Sequence, residues 1–268
     1  MRPANEEFRR GRVLLHGADS GDFRGQLHHG REYHDRGYQG GGENVETPRR
    51  SGLGRGEGAV LRLQQNTGVR KVVKTFLVGL DEAGRGPLAG PVTAGCVLLP
   101  DDFPVEILND SKKLSEKKRE AAEKLIKEKA CWGFARVEHD EIDRINILQA
   151  SLKAMSLAYG DMMARLPSWL ESRGENIADV QTEAVADGLY VPDISCPVRA
   201  EAKADGNYPQ VMAASIIAKV GRDRIMKEYD ALYPGYGYAG HKGYPTKAHR
   251  EACRTLGPSP IQRLSFSY

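Results

Sequence analysis

From residue 71 onward, short apolar runs of strand length alternate with longer stretches of helical periodicity. Phe76–Asp81 (FLVGLD) and Pro91–Leu99 (PVTAGCVLL) are two such runs, and the Gly/Pro-rich link between them fits a hairpin-like turn. Ser115–Ala130 predicts an amphipathic helix, with Ser115 as N-cap, Glu116 in the first turn, and Ala121, Ala122, Leu125 and Ile126 on one stripe. Cys131–Val137 reads as another strand, and Ile145–Ala164 as a helix whose apolar stripe passes through Leu148, Leu152, Met155 and Ala158. Val180–Asp187 and Pro197–Lys203 are two further short strands with acids at or near their ends. Pro209–Tyr229 opens with Pro in the first turn and is apolar on almost every side, so it predicts a mostly buried helix. Lys247–Leu256 is the last helix, stopped by Gly257-Pro258. Strands come early, and helices are interleaved and then gathered at the C-terminus. That order indicates an α/β domain, a mixed sheet covered by helices.

The chain of 268 residues is long enough for one such domain plus an appendage. Its first 70 residues differ sharply in composition, holding 14 of the 30 glycines, 12 arginines and no lysine. Segments such as Arg36–Gly42 and Arg49–Gly58 have neither helical nor strand periodicity and little apolar surface to offset chain entropy. Residues 1–70 are therefore expected to be a largely disordered Gly/Arg-rich extension, either a passive one or an arm that touches phosphates. With 12 basic and 9 acidic side chains this extension carries the whole formal net charge of +3, and charges of opposite sign cancel over residues 71–268. A neutral balance does not exclude a nucleic-acid partner, because clustering of charge is what matters. Cys96, Cys131, Cys196 and Cys253 lie far apart with no CxxC pair, which argues against a disulfide scaffold or zinc module and for a reducing cytoplasm. No apolar run approaches the ~20 residues of a bilayer span. Glu6 and Glu7 interrupt the first basic residues and no apolar stretch follows, which argues against a secretory leader.

Four acids stand at or beside the predicted strand ends and next to small residues: Asp81 and Glu82 before Ala83-Gly84, Asp187 before Gly188, and Asp205 before Gly206. Strand ends meeting at one sheet edge can bring distant acids to one point, where they raise one another's pKa unless a cation neutralises them. Hard oxygen ligands without His or Cys favour Mg²⁺ or Mn²⁺. Such a cluster suits phosphodiester hydrolysis with two ions about 3.5–4 Å apart, one generating hydroxide and one stabilising the leaving oxygen. The bland alternative is four unrelated turns, since Asp-Gly is a common turn pair. Gly84-Arg85-Gly86 would let backbone amides approach a ligand. Asp110-Ser111-Lys112-Lys113 with Lys117, Lys118 and Arg119 puts cations and a hydroxyl at a helix start, suited to phosphates. In His241–Lys247 (HKGYPTK), Tyr244 stands between basic residues, where it could stack on a sugar or base.

Val78–Val92 (VGLDEAGRGPLAGPV) closely resembles the signature of bacterial ribonuclease HII. The likeness continues in family order through Asn109–Glu116, Glu141–Ala150, Val185–Gly188, Lys203–Asp205, Ala213–Asp223 and His241–His249, covering almost all of residues 76–266. The resemblance implies a ribonuclease H-like fold over residues 71–268 and a metal-dependent endonuclease cutting the RNA strand of RNA–DNA hybrids. Single ribonucleotides in duplex DNA would be included. Cutting on the 5′ side of the ribonucleotide would leave 3′-hydroxyl and 5′-phosphate ends. By the same resemblance Asp81, Glu82, Asp187 and Asp205 would hold two Mg²⁺ or Mn²⁺ ions. Gly84, Arg85 and Gly86 would read the ribose 2′-hydroxyl, the group that separates RNA from DNA. Tyr244 would pack on the neighbouring deoxyribose, with Ser111, Lys112 and Lys242 as phosphate contacts. Asp223 also lies in a matching motif, and its place on the buried helix beside Arg222 and Arg224 favours a structural ion pair over metal ligation. Gln262 stands where the family commonly has His, which puts in doubt a substrate contact by that side chain. The implied protein is a cytoplasmic monomer with no membrane partner, acting in replication and ribonucleotide excision repair. Two rivals remain at this point: a ribonuclease HIII-type enzyme, against which Arg85 argues, and a non-catalytic hybrid-binding protein.

Overall fold

A computed structural model describes residues 60–63, 72–108 and 115–267, all of which belong to one structural unit. Six strands form one sheet: β1 (Val60–Leu63), β2 (Val72–Ala83), β3 (Val92–Leu98), β4 (Cys131–Val137), β5 (Val180–Asp187) and β6 (Val198–Glu201). The order is β4-β3-β2-β5-β6, and β1 pairs with the start of β2. Strands β2, β3 and β4 run antiparallel in sequence, whereas β5 and β6 lie parallel to β2 on its other side. This is the expected mixed sheet. Most of the expected N-terminal extension lies outside the described residues. Within it, Val60–Leu63 pairs antiparallel with Val72–Thr75.

Six helices accompany the sheet: α1 (Glu116–Lys129), α2 (His139–Ile145), α3 (Ile147–Glu171), α4 (Pro209–Leu232), the single-turn α5 (Tyr238–His241) and α6 (Lys247–Leu256). Helix α3 covers one face, where Met155, Ala158, Met162 and Leu166 meet Val78, Leu80, Ala94, Cys96 and Leu98. Helices α4 and α1 cover the other, where Ala213, Ala214, Ile217, Ala122 and Ile126 meet Val97 and Leu99. Strand β3 is buried along its whole length, so both of its faces are apolar.

Ser115 caps α1, its hydroxyl accepting the Lys118 amide at 3.4 Å. The helix expected over Ile145–Ala164 starts at Ile147 as α3, and a short separate helix, α2, precedes it and ends at Ile145. Asn146 takes a left-handed backbone (φ 67°), and its Oδ1 accepts the amides of Leu148 and Gln149 at 3.0 and 3.1 Å. Asn is a good N-cap, and its side chain here ends α2 and starts α3 in one residue. Helix α3 then continues through Pro167 to Glu171, because Leu166 and Leu170 remain buried against the sheet.

Helix α4 sits unusually close to the sheet. A Cβ on Gly79 would lie 2.2 Å from the Gln210 carbonyl carbon, and one on Gly95 would lie 2.3 Å from the Ala214 oxygen. Thr93 in β3 donates its hydroxyl to the Ala218 carbonyl at 3.0 Å. Only glycine permits this backbone-to-backbone approach, and it brings the first turns of α4 against the end of β2.

Candidate active site

Strand β2 continues one residue past Glu82 to Ala83, so Asp81 and Glu82 lie within its last three residues. Pairing with β3 extends it, with Asp81 opposite Gly95, Glu82 opposite Ala94 and Ala83 opposite Thr93. Asp187 is the last residue of β5, whose parallel register with β2 runs to Leu80 opposite Ala186. Asp81 and Asp187 therefore occupy adjacent positions on neighbouring strands. The Asp187 Oδ1 accepts the Ala204 amide at 2.8 Å. Ala204 opens the 3₁₀ turn Ala204–Gly206 that carries Asp205, entered through Lys203 in a left-handed conformation (φ 62°). The fold thus brings three sequence-distant segments bearing the four expected acids to one edge.

Burial is the dominant electrostatic fact at this edge. Asp81 is 5% exposed, and burial followed by the Glu82 and Asp187 charges pushes its carboxyl well above the usual range. The Ser215 hydroxyl and the Glu82 amide, 2.7 Å from Oδ1, oppose that rise. Burial also raises Glu82, against the pull of Arg85 at 3.4 Å. Among the described residues no three His, Cys, Asp or Glu side chains stand close enough to hold one metal ion. Glu82 instead faces Arg85, and Asp187 faces the Ala204 amide. The donor set is nevertheless the kind that suits a hard divalent cation, with carboxylate oxygens whose charges are crowded in a buried place.

Beside the acids, Gly84-Arg85-Gly86 leaves β2 as a loop that is held from beneath by two buried arginines. Arg263 is 0% exposed and donates to the carbonyls of Gly84 (2.7 Å), Arg85 (3.1 Å), Pro87 (2.9 Å) and Gly90 (2.9 Å). Arg222 donates to Pro91 (2.9 Å), Ala89 (3.2 Å) and Lys242 (2.9 Å). Burial lowers both guanidinium groups, to about 10 and, with the repulsion of Arg222, about 9 for Arg263; the surrounding carbonyls keep both charged at neutral pH. With the Arg85 carbonyl turned inward to Arg263, the exposed Arg85 and Gly86 keep amides that no described residue accepts. Gly84 has φ 99°, and a Cβ there would lie 2.1 Å from the Arg222 Nε, so a side chain would displace the clamp. The Tyr244 ring lies over Gly86, its Cε1 3.7 Å from where a Cβ would be, and the residue is 40% exposed. The Leu88 amide bonds the Gly243 carbonyl at 2.8 Å and docks the two loops together.

The family model described as Ribonuclease HII matches residues 78–268. The chain belongs to the ribonuclease HII family. It is 48% identical over 195 residues to the Ribonuclease HII of Treponema denticola, spanning 71% of this chain and 98% of that protein. It is 49% identical over 192 residues to that of Caulobacter vibrioides, spanning 70% and 83%. The crystal structure of the ribonuclease H2 from Pyrococcus horikoshii superposes with a TM-score of 0.53 at 26% identity, covering 72% of this chain and 94% of that one. The fold is ribonuclease H-like and the protein is a ribonuclease H enzyme, which sets aside the idle hybrid-binding reading. Membership implies endonucleolytic attack on RNA–DNA hybrids.

Within this ribonuclease HII, the sequence motifs around residues 81–86, 187, 205 and 241–244 meet at or beside one corner of the sheet. Ser111 and Lys112 lie outside the described residues. Lys242 has a left-handed backbone (φ 53°) and turns its ammonium back to the Ala239 carbonyl. Asp223 pairs with Lys219 at 2.7 Å, one turn earlier, not with Arg222 or Arg224: the first is taken by loop carbonyls and the second by Glu123. Gln262 is buried, with its Oε1 3.6 Å from the Cys253 sulfur, so it faces the interior. Sequence reasoning missed the clamp itself. Its one local signal is an arginine at 222 in a helix apolar on nearly every face.

Proposed function

We propose that this ribonuclease HII cuts the phosphodiester on the 5′ side of a ribonucleotide, in RNA–DNA hybrids and where one ribonucleotide is embedded in duplex DNA. What carries the reading is the juxtaposition of the Gly84–Gly86 loop, the Tyr244 ring and the buried acid edge. Asp81, Glu82, Asp187 and Asp205 would hold two Mg²⁺ or Mn²⁺ ions. When bound, such ions supply positive charge to the phosphate and lower the pKa of water. The chain itself does the positioning. The Arg85–Gly86 backbone is presented to the 2′-hydroxyl, with the Gly84, Arg85 and Pro87 carbonyls around it held by Arg263. The Tyr244 ring covers the deoxyribose on the neighbouring side, so the pair tests for ribo on one side and deoxy on the other. The 2′-hydroxyl orients the substrate and does not attack, so no cyclic phosphate forms. Ser111, Lys112 and Lys242 would contact flanking phosphates.

A DNA duplex with one ribonucleotide should be cut once, in Mg²⁺ or Mn²⁺ and not in EDTA, to 3′-hydroxyl and 5′-phosphate ends. End-group mapping checks this, and a 2′,3′-cyclic phosphate or EDTA-resistant cutting would overturn the scheme. Tyr244→Ala should lower the preference for that substrate over an all-RNA/DNA hybrid by about tenfold, the scale of one lost stacking contact. Equal losses in kcat/KM on both substrates would refute the role of the ring.

The domain is proposed to act as a monomer in the cytoplasm, in ribonucleotide excision during replication, with the residues that precede β1 as an appendage. No helix among the described residues is long and apolar enough to cross a membrane.

A further inference from the structure

Two imidazoles lie directly behind the Gly243–Tyr244 segment. The rings of His241 and His249 stack with centroids 4.5 Å apart and planes 15° apart, and the buried Tyr238 ring stands edge-on to both at 5.8 and 5.4 Å. Their partners assign opposite tautomers. The His241 Nε2 faces the Tyr236 carbonyl at 2.7 Å, so it carries the hydrogen, and its Nδ1 accepts the Gly243 amide at 3.1 Å. The His249 Nδ1 faces the Tyr244 carbonyl at 3.1 Å and must donate, while its Nε2 is buried with no hydrogen-bond partner among the described residues and stays bare. One ring therefore holds the amide ahead of Tyr244 and the other holds the carbonyl after it. The His241 backbone carbonyl also accepts the Tyr244 amide at 2.9 Å.

We propose that the stacked His241–His249 pair, as two neutral imidazoles of opposite tautomer, is a positioning device that seats the Tyr244 ring against Gly86 and so sets the enzyme's discrimination at the ribo–deoxy junction. The proposal rests on the reading of Tyr244 given above. The geometry leaves little slack: Gly243 has φ 81°, and a Cβ there would lie 2.6 Å from the Ala89 carbonyl oxygen. A small shift of this segment therefore separates the tyrosine from the glycine loop.

Neutrality is part of the device. A proton on the His241 Nδ1 would face the Gly243 N–H, and a proton on the His249 Nε2 would be a buried donor without an acceptor. Burial, helped by the His241 charge, lowers the His249 pKa from its ordinary 6.5 against the pull of the Tyr244 carbonyl. A depressed folded value means that the seated arrangement has its full stability above the unfolded value and loses it as pH falls through the folded one. Of the other groups around the pair, burial raises Tyr236, Tyr238 and Cys253, and Arg222 stays near about 10, so none of these four titrates in that window.

The test compares kcat/KM for the single-ribonucleotide duplex with that for an all-RNA/DNA hybrid, so that acid effects common to both substrates cancel. His249→Leu should lower this ratio by about tenfold, the order of one buried hydrogen bond lost. His249→Asn places an amide donor where Nδ1 stood and should restore the ratio to within about threefold of the native protein. The native ratio should be level at neutral pH and fall in acid, and in His249→Asn it should not fall. If His249→Leu keeps the native ratio while Tyr244→Ala loses it, the positioning role is wrong and the tyrosine reading stands. If Tyr244→Ala keeps the ratio, the tyrosine reading itself fails. If His249→Asn matches His249→Leu, or shows the same acid fall as the native protein, the histidine proposal is overturned.

Discussion

Asp81→Asn should lower cleavage by about a hundred- to a thousandfold, the usual loss when one preorganised charge-stabilising group is removed from a reaction site. At the same time it should make the metal-free protein melt at a higher temperature. The two effects share a cause. Asp81 is held among Glu82 and Asp187 in a place from which water is largely excluded, and burial is the largest reason its carboxyl is raised. An asparagine keeps an oxygen for the Glu82 amide and adds a donor among carboxylates. Because the folded value is raised above the ordinary 3.8, this side chain contributes its full stability below that value, and the contribution is lost as pH rises through the folded value. Glu82, raised from 4.5, acts in the same direction. Metal-free native protein should therefore lose melting temperature as pH rises from acid toward neutral, and Asp81→Asn should show a shallower loss. Added Mn²⁺ should raise the native melting temperature more than that of the variant, since a ligand that binds only the folded state stabilises it. Calorimetry with and without EDTA reads all three trends. Normal cleavage in Mg²⁺ by Asp81→Asn, or an identical pH slope in both proteins, would remove Asp81 from the site.

Arg263→Lys should destabilise the fold by about 3 kcal/mol or more, since removing one partner from a buried charged contact costs about 3–5 kcal/mol. The guanidinium serves four carbonyls with a planar fork, and an ammonium is a compact point charge that cannot span them. Arg263→Met should be at least as costly, because it leaves the Gly84, Arg85, Pro87 and Gly90 oxygens without their donors. The urea midpoint should fall with an unchanged slope, and the melting temperature should drop by about 6–12 °C for a domain of this size. Arg173→Met is the control. That arginine bonds Asp102 at 3.0 Å in the open, so its loss should cost less than about 1 kcal/mol. If Arg263→Lys and Arg173→Met cost the same, the loop does not depend on the clamp.

The elements themselves were largely legible. Alternation places β4 and β5 at the residues where they occur, and a cap followed by helical spacing places α1, with α6 ended by Gly257. The misread elements have local physical reasons. Asn146 ends one helix and caps the next with a single side chain, which helical spacing alone passes over. Glu82 looked like a residue past the strand because it is polar, yet main-chain pairing with Ala94 carries the strand through it. The four acids were visible as residues, whereas their approach to one another at one edge needs the strands in place.

The chain's linear order was enough to determine a helix-covered mixed sheet, and motif likeness named the family and its acids, because periodicity and turn chemistry act between residues close in sequence. Tertiary structure alone decided what holds the recognition loop. Apart from the Lys242 carbonyl, 20 residues from Arg222, the partners of Arg222 and Arg263 lie 131 to 179 residues away, and all of them are main-chain carbonyls. Every residue carries the same carbonyl, so no string of side chains records which of them a buried arginine will receive. The tautomers of His241 and His249 were likewise settled by the backbone groups that face each ring nitrogen, and only the folded chain assembles those groups.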